Sequence, residues 1–473
     1  MRERVVILGA GESGTGAAIL AKAKGYDVFV SDQGTIKDQY KTELSTEGIS
    51  YEEGKHSEEK IVNASLVIKS PGIPEKAEII KKVRAKNIPV IDEIEFGFRF
   101  INGKVIAITG TNGKTTTTLL TYHLMKSAGK SVALAGNVGE SLARKVAKGN
   151  HEWYVIEISS FQLDGTTTFQ PHISILLNIT PDHLDRYEYQ MQKYVDSKFQ
   201  LIQQMKAHNF FIFYGDDAVV ADGVKKRSIS PKTIEVSLNK ESQSQIYFDG
   251  EKMSFSFGKE SFKIAQSETT LKGPHNLINT MSAVSAVYYA GVSLDSIKTG
   301  LKTFKNAPHR LESVATINDV EFVNDSKATN VDSVFYALGS FKRTEPHIIW
   351  IVGGVDKGNE YEVLDNLVKE KVRNFVFLGK DNQKLEKYYQ NNQPENHQQE
   401  NERDDDPKKE LKKFDKPIFQ TQSIKEAIEY GFKVAKKGDI VLLSPACASF
   451  DLFQNYMDRG EKFRENVLNL IKN

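Results

Sequence analysis

Between the apolar run Val105 to Ile108 and a helical stretch opening at Thr115, the chain carries Gly110-Thr111-Asn112-Gly113-Lys114-Thr115-Thr116. A glycine loop that joins a buried strand to a helix and ends in Lys-Thr reads as a phosphate cradle. Backbone amides would face a triphosphate, Lys114 would neutralise its β/γ oxygens, and the Thr115 hydroxyl would reach Mg²⁺. The motif also constrains the fold, because such a loop belongs at the carboxyl edge of a parallel sheet wound with helices. Its spacing departs from the usual P-loop, since Ile108 stands where the first glycine falls. A glycine turn without ligand is the bland alternative; a nucleotide triphosphate site is the reading preferred here.

At 473 residues the chain exceeds one hydrophobic core, so two to four domains are expected. Lys plus Arg number 63 against 62 Asp plus Glu. A net charge of +1 sets up no global field toward nucleic acid or an anionic membrane, so any anion recognition is local. One cysteine, Cys447, excludes an intramolecular disulfide framework; among Ala446, Ala448 and Ser449 it reads as a small buried thiol. The opening Met1-Arg2-Glu3-Arg4 leads into an apolar run only from Val5 to Ala10, too short for a signal sequence or a membrane span. A cytoplasmic protein, without nucleic-acid binding or membrane insertion and monomeric, is the expectation.

Three α/β cycles follow along the chain. The first opens with strand Val5 to Leu8, the turn Gly9-Ala10-Gly11-Glu12-Ser13-Gly14, a helix closed by Gly25, and a strand from Asp27 ending before Asp32. This fits a dinucleotide-type βαβ unit, with the glycines admitting a diphosphate to a helix N-terminus. Taken alone it leaves an NAD-dependent oxidoreductase open as a rival. Leu66 to Ile68 then runs into the rigid turn Ser70-Pro71-Gly72-Ile73-Pro74. The second cycle holds the Gly110 loop, a helix from Thr115 to about Ala128 with Gly129 as its cap, and buried strands at Trp153 to Ile158 and His172 to Leu177. Ser228 to Lys272 reads as a small β insertion, and Gly273-Pro274-His275-Asn276 starts another helix. The third cycle has strands at Ile348 to Val352, Phe375 to Leu378 and Ile440 to Leu443. Gln390 to Lys413, rich in Asn, Gln and charge, reads as a solvated surface insertion. The expected fold is α/β in three domains: Rossmann-like over 1–92, a central P-loop ATPase-type parallel sheet over 93–306, and Rossmann-like again over 307–473.

The Gly110 loop resembles the ATP loop of the Mur ligase family, which also includes folylpolyglutamate synthase. Further segments match that family in order along essentially the whole chain. They are Asn137-Val138-Gly139, Glu157 to Leu163, Asn178 to Arg186, Lys198, His275 to Asn279, His309 to Glu312, and Asn324 to Asn330. The resemblance implies an ATP-dependent ligase that forms an amide through an acyl phosphate. It implies an ATP site made of Gly110, Thr111, Asn112, Gly113, Lys114, Thr115 and Thr116. Asn276 would meet the adenine, and Arg310 and Asp325 the phosphates and ribose from the domain junction. It implies two Mg²⁺ ions, held by Thr115, Glu157, His183 and a Lys198 carbamylated into an anion. Lys327 would stabilise the transferring phosphoryl group.

Each residue has an independent reading. Glu157 ends an apolar strand, so a buried hard-oxygen ligand is favoured over a solvated carboxylate. A lone His183 would by default be structural. Without the resemblance, Lys198 reads as a surface helical lysine and Arg310 as a surface cation.

The segment Leu443 to Asp451 with Asn455-Tyr456, Arg459-Gly460 and Phe463, and Gly353 to Gly358, resembles the branch of the family that adds D-glutamate to UDP-N-acetylmuramoyl-L-alanine. A dicarboxylate needs a cation and donors; Lys357, Ser449 and Tyr456 would supply a cation, a hydroxyl and an aromatic wall. Lys357 as a solvent-facing lysine and Tyr456 as core are the plain alternatives. The UDP-substrate would meet Ser13 and Asp32 in the first domain and Asn137, Ser159 and Gln162 in the second. Gln33-Gly34-Thr35 departs from the Thr-Arg pair of some relatives, so no uracil or ribose contact is assigned to this loop. Rivals to this reading are a sibling ligase with another substrate, an oxidoreductase, and a non-catalytic nucleotide switch.

Overall fold

The computed structural model describes residues 2–240, 244–258, 260–343, 345–389 and 416–471. The expected insertion at 390–413 lies outside them. The chain divides into two compact units, Met1–Lys305 and Asn306–Asn473.

In the first unit, strands β1 (Arg4–Leu8), β2 (Asp27–Ser31), β3 (Ser50–Glu52), β4 (Leu66–Lys69) and β5 (Val90–Asp92) form a fully parallel sheet of order β3-β2-β1-β4-β5. Val5, Val6, Ile7 and Leu8 are wholly buried, as expected of a central strand covered on both faces. Helix Glu12–Ala23 packs its small residues Gly14, Gly16, Ala17 and Ala18 inward. A Cβ at Gly16 would lie 2.0 Å from the Ser141 hydroxyl, so glycine there lets the helix meet helix Leu142–Lys148 closely. Arg144 completes the contact, pairing with Glu12 (2.8 Å) and Glu43.

A second sheet follows in the same unit. Its strands are β6 (Lys104–Thr109), β7 (Val132–Gly136), β8 (Trp153–Glu157), β9 (Ile173–Leu176), β10 (Phe210–Tyr214), β11 (Lys232–Ser237), β12 (Ile246–Phe248), β13 (Lys252–Phe257) and β14 (Glu260–Ala265), in the order β14-β13-β12-β11-β10-β9-β6-β8-β7. The stretch read from sequence as a separate β insertion instead extends this sheet. β12 continues the parallel ladder beside β11, and β13 and β14 close the edge as an antiparallel hairpin. The sheet is therefore mixed, not wholly parallel. Register pairs Ile108 with Glu157 and Thr109 with Leu176, so the loops after β6, β8 and β9 leave one carboxyl edge.

The second unit has β15 (Glu312–Ile317), β16 (Val320–Asn324), β17 (Ile348–Val352), β18 (Val372–Leu378), β19 (Ile418–Thr421) and β20 (Ile440–Leu443), ordered β15-β16-β20-β17-β18-β19. All pairs are parallel except the hairpin β15–β16. Its turn residues Asn318 and Asp319 both have positive φ (50° and 63°), the backbone that a tight two-residue hairpin demands.

Candidate active site

Gly113, at φ 83°, ends the loop after β6 and caps helix Lys114–Ser127. A Cβ there would meet the Asn279 side-chain oxygen at 2.4 Å, so glycine is required on both counts. The loop is held from the neighbouring strand end: Asn112 N donates to Asn178 Oδ1 (2.8 Å), and Asn178 Nδ2 returns a bond to the Asn112 carbonyl (3.1 Å). The Thr111 hydroxyl donates to the Thr180 carbonyl (3.1 Å) and shares a hydrogen bond with Tyr194 (3.1 Å). Lys114 folds back, its Nζ donating to the carbonyls of Gly110 and Thr111, both at 2.8 Å. The result is a hydrogen-bonded loop at the positive end of a 14-residue helix, which suits a polyphosphate. Thr115 and Thr116 lie in that helix's first turn, with Thr116 buried.

Lys198 is not the surface lysine that it reads as without the family resemblance. It is 1% exposed, on the inward face of helix Met191–Phe199. Its Nζ donates to the Gly110 carbonyl (2.9 Å) and sits 4.5 Å from the Tyr194 ring centre. Burial, reinforced by the nearby Lys114 charge, holds this amine well below the ordinary lysine pKa. Two lysines thus converge on one carbonyl. A neutral amine is the protonation state that desolvation favours here.

Glu157, 1% exposed, ends β8 beside the same loop. Asn137 Nδ2 donates to its Oε1 (2.7 Å), whereas Oε2 is buried without a hydrogen-bond partner. The buried Thr180 Oγ1 is likewise unsatisfied. An orphaned carboxylate oxygen at a phosphate loop fits a hard divalent cation. Among the described residues no three His, Cys, Asp or Glu side chains form a ready cage. Mg²⁺ takes one or two carboxylates and completes its shell from phosphates and water, so the orphaned Glu157 oxygen fits as its protein anchor. His183 is at φ 53° with its ring edge-on to Phe161 (5.2 Å) and 3.6 Å from Asp182. Asn276 is placed against the loop helix: its Oδ1 accepts from Asn279 (3.0 Å), which in turn accepts from Thr117 (3.1 Å).

Ser13 lies in the first turn of helix Glu12–Ala23. Asp32 is committed to backbone, one oxygen accepting from Ala10 N (2.6 Å) and the other from Gly34 N (2.8 Å), so it shapes the first glycine turn. Ser159 and Gln162 form a capping box on the short helix Ser160–Leu163, at the edge that carries Glu157 and Asn137.

In the second unit the candidate residues gather at the carboxyl ends of β16, β17 and β20. Asp325 is buried; its Oδ2 accepts from Ser444 Oγ (2.9 Å) and its Oδ1 from Leu311 N (3.2 Å). Burial raises its carboxyl to about 7, against the lowering effects of the Ser444 and Leu311 bonds and the Arg310 charge. Lys327 places its ammonium 3.9 Å from the Tyr456 ring centre, so Tyr456 is a wall for that cation, not plain core. Lys357 is exposed in the turn after β17. Asp356 anchors that turn by accepting from Gly358 N (2.7 Å), Asn359 N (2.9 Å) and Tyr361 Oη (2.7 Å). Ser449 is buried beyond the Val355–Ala448 bridge. The Cys447 thiol is pushed up to about 11 by burial, which leaves it a packing group.

Arg459 has no role in the sequence reading, yet it organises this edge. It is 1% exposed and donates to Ser326 Oγ (3.0 Å) and to the carbonyls of Ser326 (2.9 Å), Cys447 (3.2 Å) and Gly353 (3.5 Å). One guanidinium thereby ties together the loops that carry Lys327, Ser449 and Lys357. The stripe Arg459, Phe463, Val467 on helix Tyr456–Leu470 was the available signal, an arginine in register with buried apolar residues.

Three family models match in succession: MurD N-terminal domain over 4–79, Mur ligase middle domain over 108–287, and Mur ligase, glutamate ligase domain over 309–447. A UDP-N-acetylmuramoylalanine–D-glutamate ligase of Cytophaga hutchinsonii is 48% identical, covering 99% of this chain and 100% of the relative. The chain belongs to the Mur ligase family. A relative of the same name from Bacteroides fragilis is 45% identical over 99% of this chain and 100% of its own length. Among solved structures, UDP-N-acetylmuramate-alanine ligase MurC of Thermotoga maritima superimposes with a TM-score of 0.59 at 15% identity, covering 99% of this chain and all of that one. The Mur ligase fold of three α/β sheets is thus shared at low identity. Membership removes the oxidoreductase reading of the first glycine turn and the nucleotide-switch reading of the chain. No helix among the described residues is long and apolar enough to cross a membrane.

Proposed function

We propose that this Mur ligase joins D-glutamate to UDP-N-acetylmuramoyl-L-alanine at the expense of ATP, as a step in peptidoglycan precursor synthesis in the cytoplasm. The observation that carries the reading is the end-to-end similarity to relatives bearing that activity in their names. In this reading residues 1–92 hold the UDP moiety, 93–306 the ATP and 307–473 the amino acid, and the chain acts as a monomer. The substrate carboxylate attacks the γ-phosphorus of ATP, the terminal phosphoryl passes to it and ADP leaves. The D-glutamate amine then attacks the acyl carbon, the C–O bond breaks, and inorganic phosphate departs with the amine's proton lost to solvent. No protein nucleophile is needed, in keeping with the raised Cys447 thiol.

The loop Gly110 to Thr116 cradles the triphosphate, with Lys114 released from its two carbonyls to the β/γ oxygens. Asn276 meets the base, and Arg310 and Asp325 the phosphates and ribose. Glu157, Thr115, His183 and Lys198 would hold two Mg²⁺ ions. When bound, these supply charge neutralisation at the transferring phosphoryl. Lys198 enters this set only as a carbamate. Its neutral amine adds CO₂ with loss of one proton, which puts an oxygen-bearing anion in place of the amine. Lys327 adds a cation at the transferring phosphoryl, Ser13 and Asp32 shape the diphosphate turn, and Asn137, Ser159 and Gln162 orient the muramoyl-alanine arm. Lys357, Ser449 and Tyr456 receive D-glutamate. Phosphate release measured with UDP-N-acetylmuramoyl-L-alanine and a panel of amino acids tests the reading. Release specific to D-glutamate is expected; release with another amino acid alone would assign the chain to a sibling activity.

A further inference from the structure

Arg186 makes contacts that the reaction scheme does not use. It lies in a short 3₁₀ helix, Leu184–Tyr187, begun by His183 and followed by Glu188 and Tyr189, all three non-glycine residues at φ between 53° and 57°. Such backbone persists only where surrounding contacts over-determine it. Arg186 N donates to the His183 carbonyl (3.0 Å), fixing the turn to the candidate metal ligand. Its guanidinium covers the Phe161 ring at 4.5 Å, and the same ring meets His183 edge-on. The other end of the fork leaves the central sheet altogether. Nη2 donates to the Pro71 carbonyl (3.0 Å) and Nη1 to that of Gly72 (3.2 Å), in the rigid turn after β4.

That turn is locked to the first glycine turn. Ser70 N donates to the Leu8 carbonyl (2.9 Å), and a Cβ on Gly9 would lie 2.6 Å from Ser70 Oγ. A diphosphate settling on Gly9 to Ser13 therefore bears on Ser70 and, through it, on Pro71 and Gly72, whose carbonyls hold Arg186. Among the described residues no carboxylate pairs with this guanidinium, so its fork is spent on two neutral carbonyls and a ring face. A lysine could not reproduce that combination.

We infer that Arg186 is a positioning residue that couples the UDP-substrate turn to the His183 segment, so that UDP-substrate and Mg²⁺–nucleotide bind cooperatively. This rests on the functional reading above. Calorimetry on the full chain would give the Kd of UDP-N-acetylmuramoyl-L-alanine with and without saturating Mg²⁺ and a non-hydrolysable ATP analogue. The parental chain should gain about 5- to 150-fold in affinity from the nucleotide, the usual span of coupling between sites. Arg186→Ala should bring that factor close to one while each ligand alone still binds, and Arg186→Lys should restore it only in part. Phe161→Leu, which keeps the carbonyl contacts, should lower it as well. An Arg186→Ala protein that unfolds earlier yet keeps the parental factor would make the residue a mere structural clamp and overturn the inference. So would a parental chain that binds both ligands independently. A parental chain that binds neither ligand would instead defeat the functional reading.

Discussion

Replacing Lys198 by methionine should make the protein more stable and inactive. The side chain is 1% exposed and satisfied only by the Gly110 carbonyl and the Tyr194 ring, with no carboxylate within ion-pair distance among the described residues. A charge-assisted bond of this kind contributes about 1.5–3 kcal/mol and the ring contact up to about 2 kcal/mol. Against them stands the cost of stripping water from an ion without a counter-charge, several kcal/mol even after relaxation. An apolar side chain of similar length avoids that cost. A gain of about 1–4 kcal/mol follows from comparable replacements of buried ions. The pH dependence has a fixed sign. Because the folded-state amine titrates below its unfolded value, the unfolded chain binds the extra proton between the two. The penalty is therefore full at low pH and fades as pH rises toward 10.5, so the methionine advantage should shrink in the same direction. Urea unfolding of both proteins in CO₂-depleted buffer at pH 6 and 9.5, followed through the transition of Met1–Lys305, measures it. A Lys198→Met protein that is less stable by more than about 1 kcal/mol, or that still releases phosphate, refutes the reasoning.

Lys114→Ala should leave unfolding little changed and cut ATP-dependent phosphate release by at least about 100-fold, as removal of a transition-state cation or donor does; an unchanged rate would remove the loop from the reaction. Lys357→Ala should raise KM for D-glutamate about 10- to 150-fold, from the loss of a charge-assisted contact of about 1.5–3 kcal/mol. Its KM for ATP should stay put, and equal losses for both would place Lys357 at the nucleotide. Asp325 has its carboxyl raised to about 7, so it favours the folded state at low pH and that contribution is lost as pH rises from about 4 through 7. Asp325→Asn should flatten the decline in unfolding midpoint across this window, worth at most about 4 kcal/mol; parallel profiles for the two proteins would count against it.

What the sequence disclosed, and what it hid, follows from the range of the interactions involved. The Gly110 loop was legible because its chemistry is local: a buried strand, glycines and a helix start within a few residues. Glu157 was legible from its neighbours, since Val155, Ile156 and Ile158 leave a carboxylate between them little water. Without the resemblance Lys198 reads as a surface lysine, because its partner Gly110 lies 88 residues away. The clue was Tyr194, Val195 and Phe199, which put position 198 on the buried face of its helix. The hairpin β15–β16 was missed although Asn318-Asp319 between two alternating runs is a turn signal. The strands from Lys232 to Ala265 were seen but not their membership of the central sheet, because ladder partners are set by tertiary contacts. Arg459 escaped for the same reason, its four acceptors being spread over three loops.

The central claim is that the carboxylate of UDP-N-acetylmuramoyl-L-alanine is activated by ATP and captured by D-glutamate. Substrate carrying ¹⁸O in both carboxylate oxygens, incubated with the purified chain, Mg²⁺, ATP and D-glutamate, tests it in one vessel by mass spectrometry. The account predicts that one labelled oxygen leaves in inorganic phosphate and the other stays in the new amide of the D-glutamyl product. Phosphate without label, or labelled substrate recovered intact while ATP is hydrolysed, would contradict it.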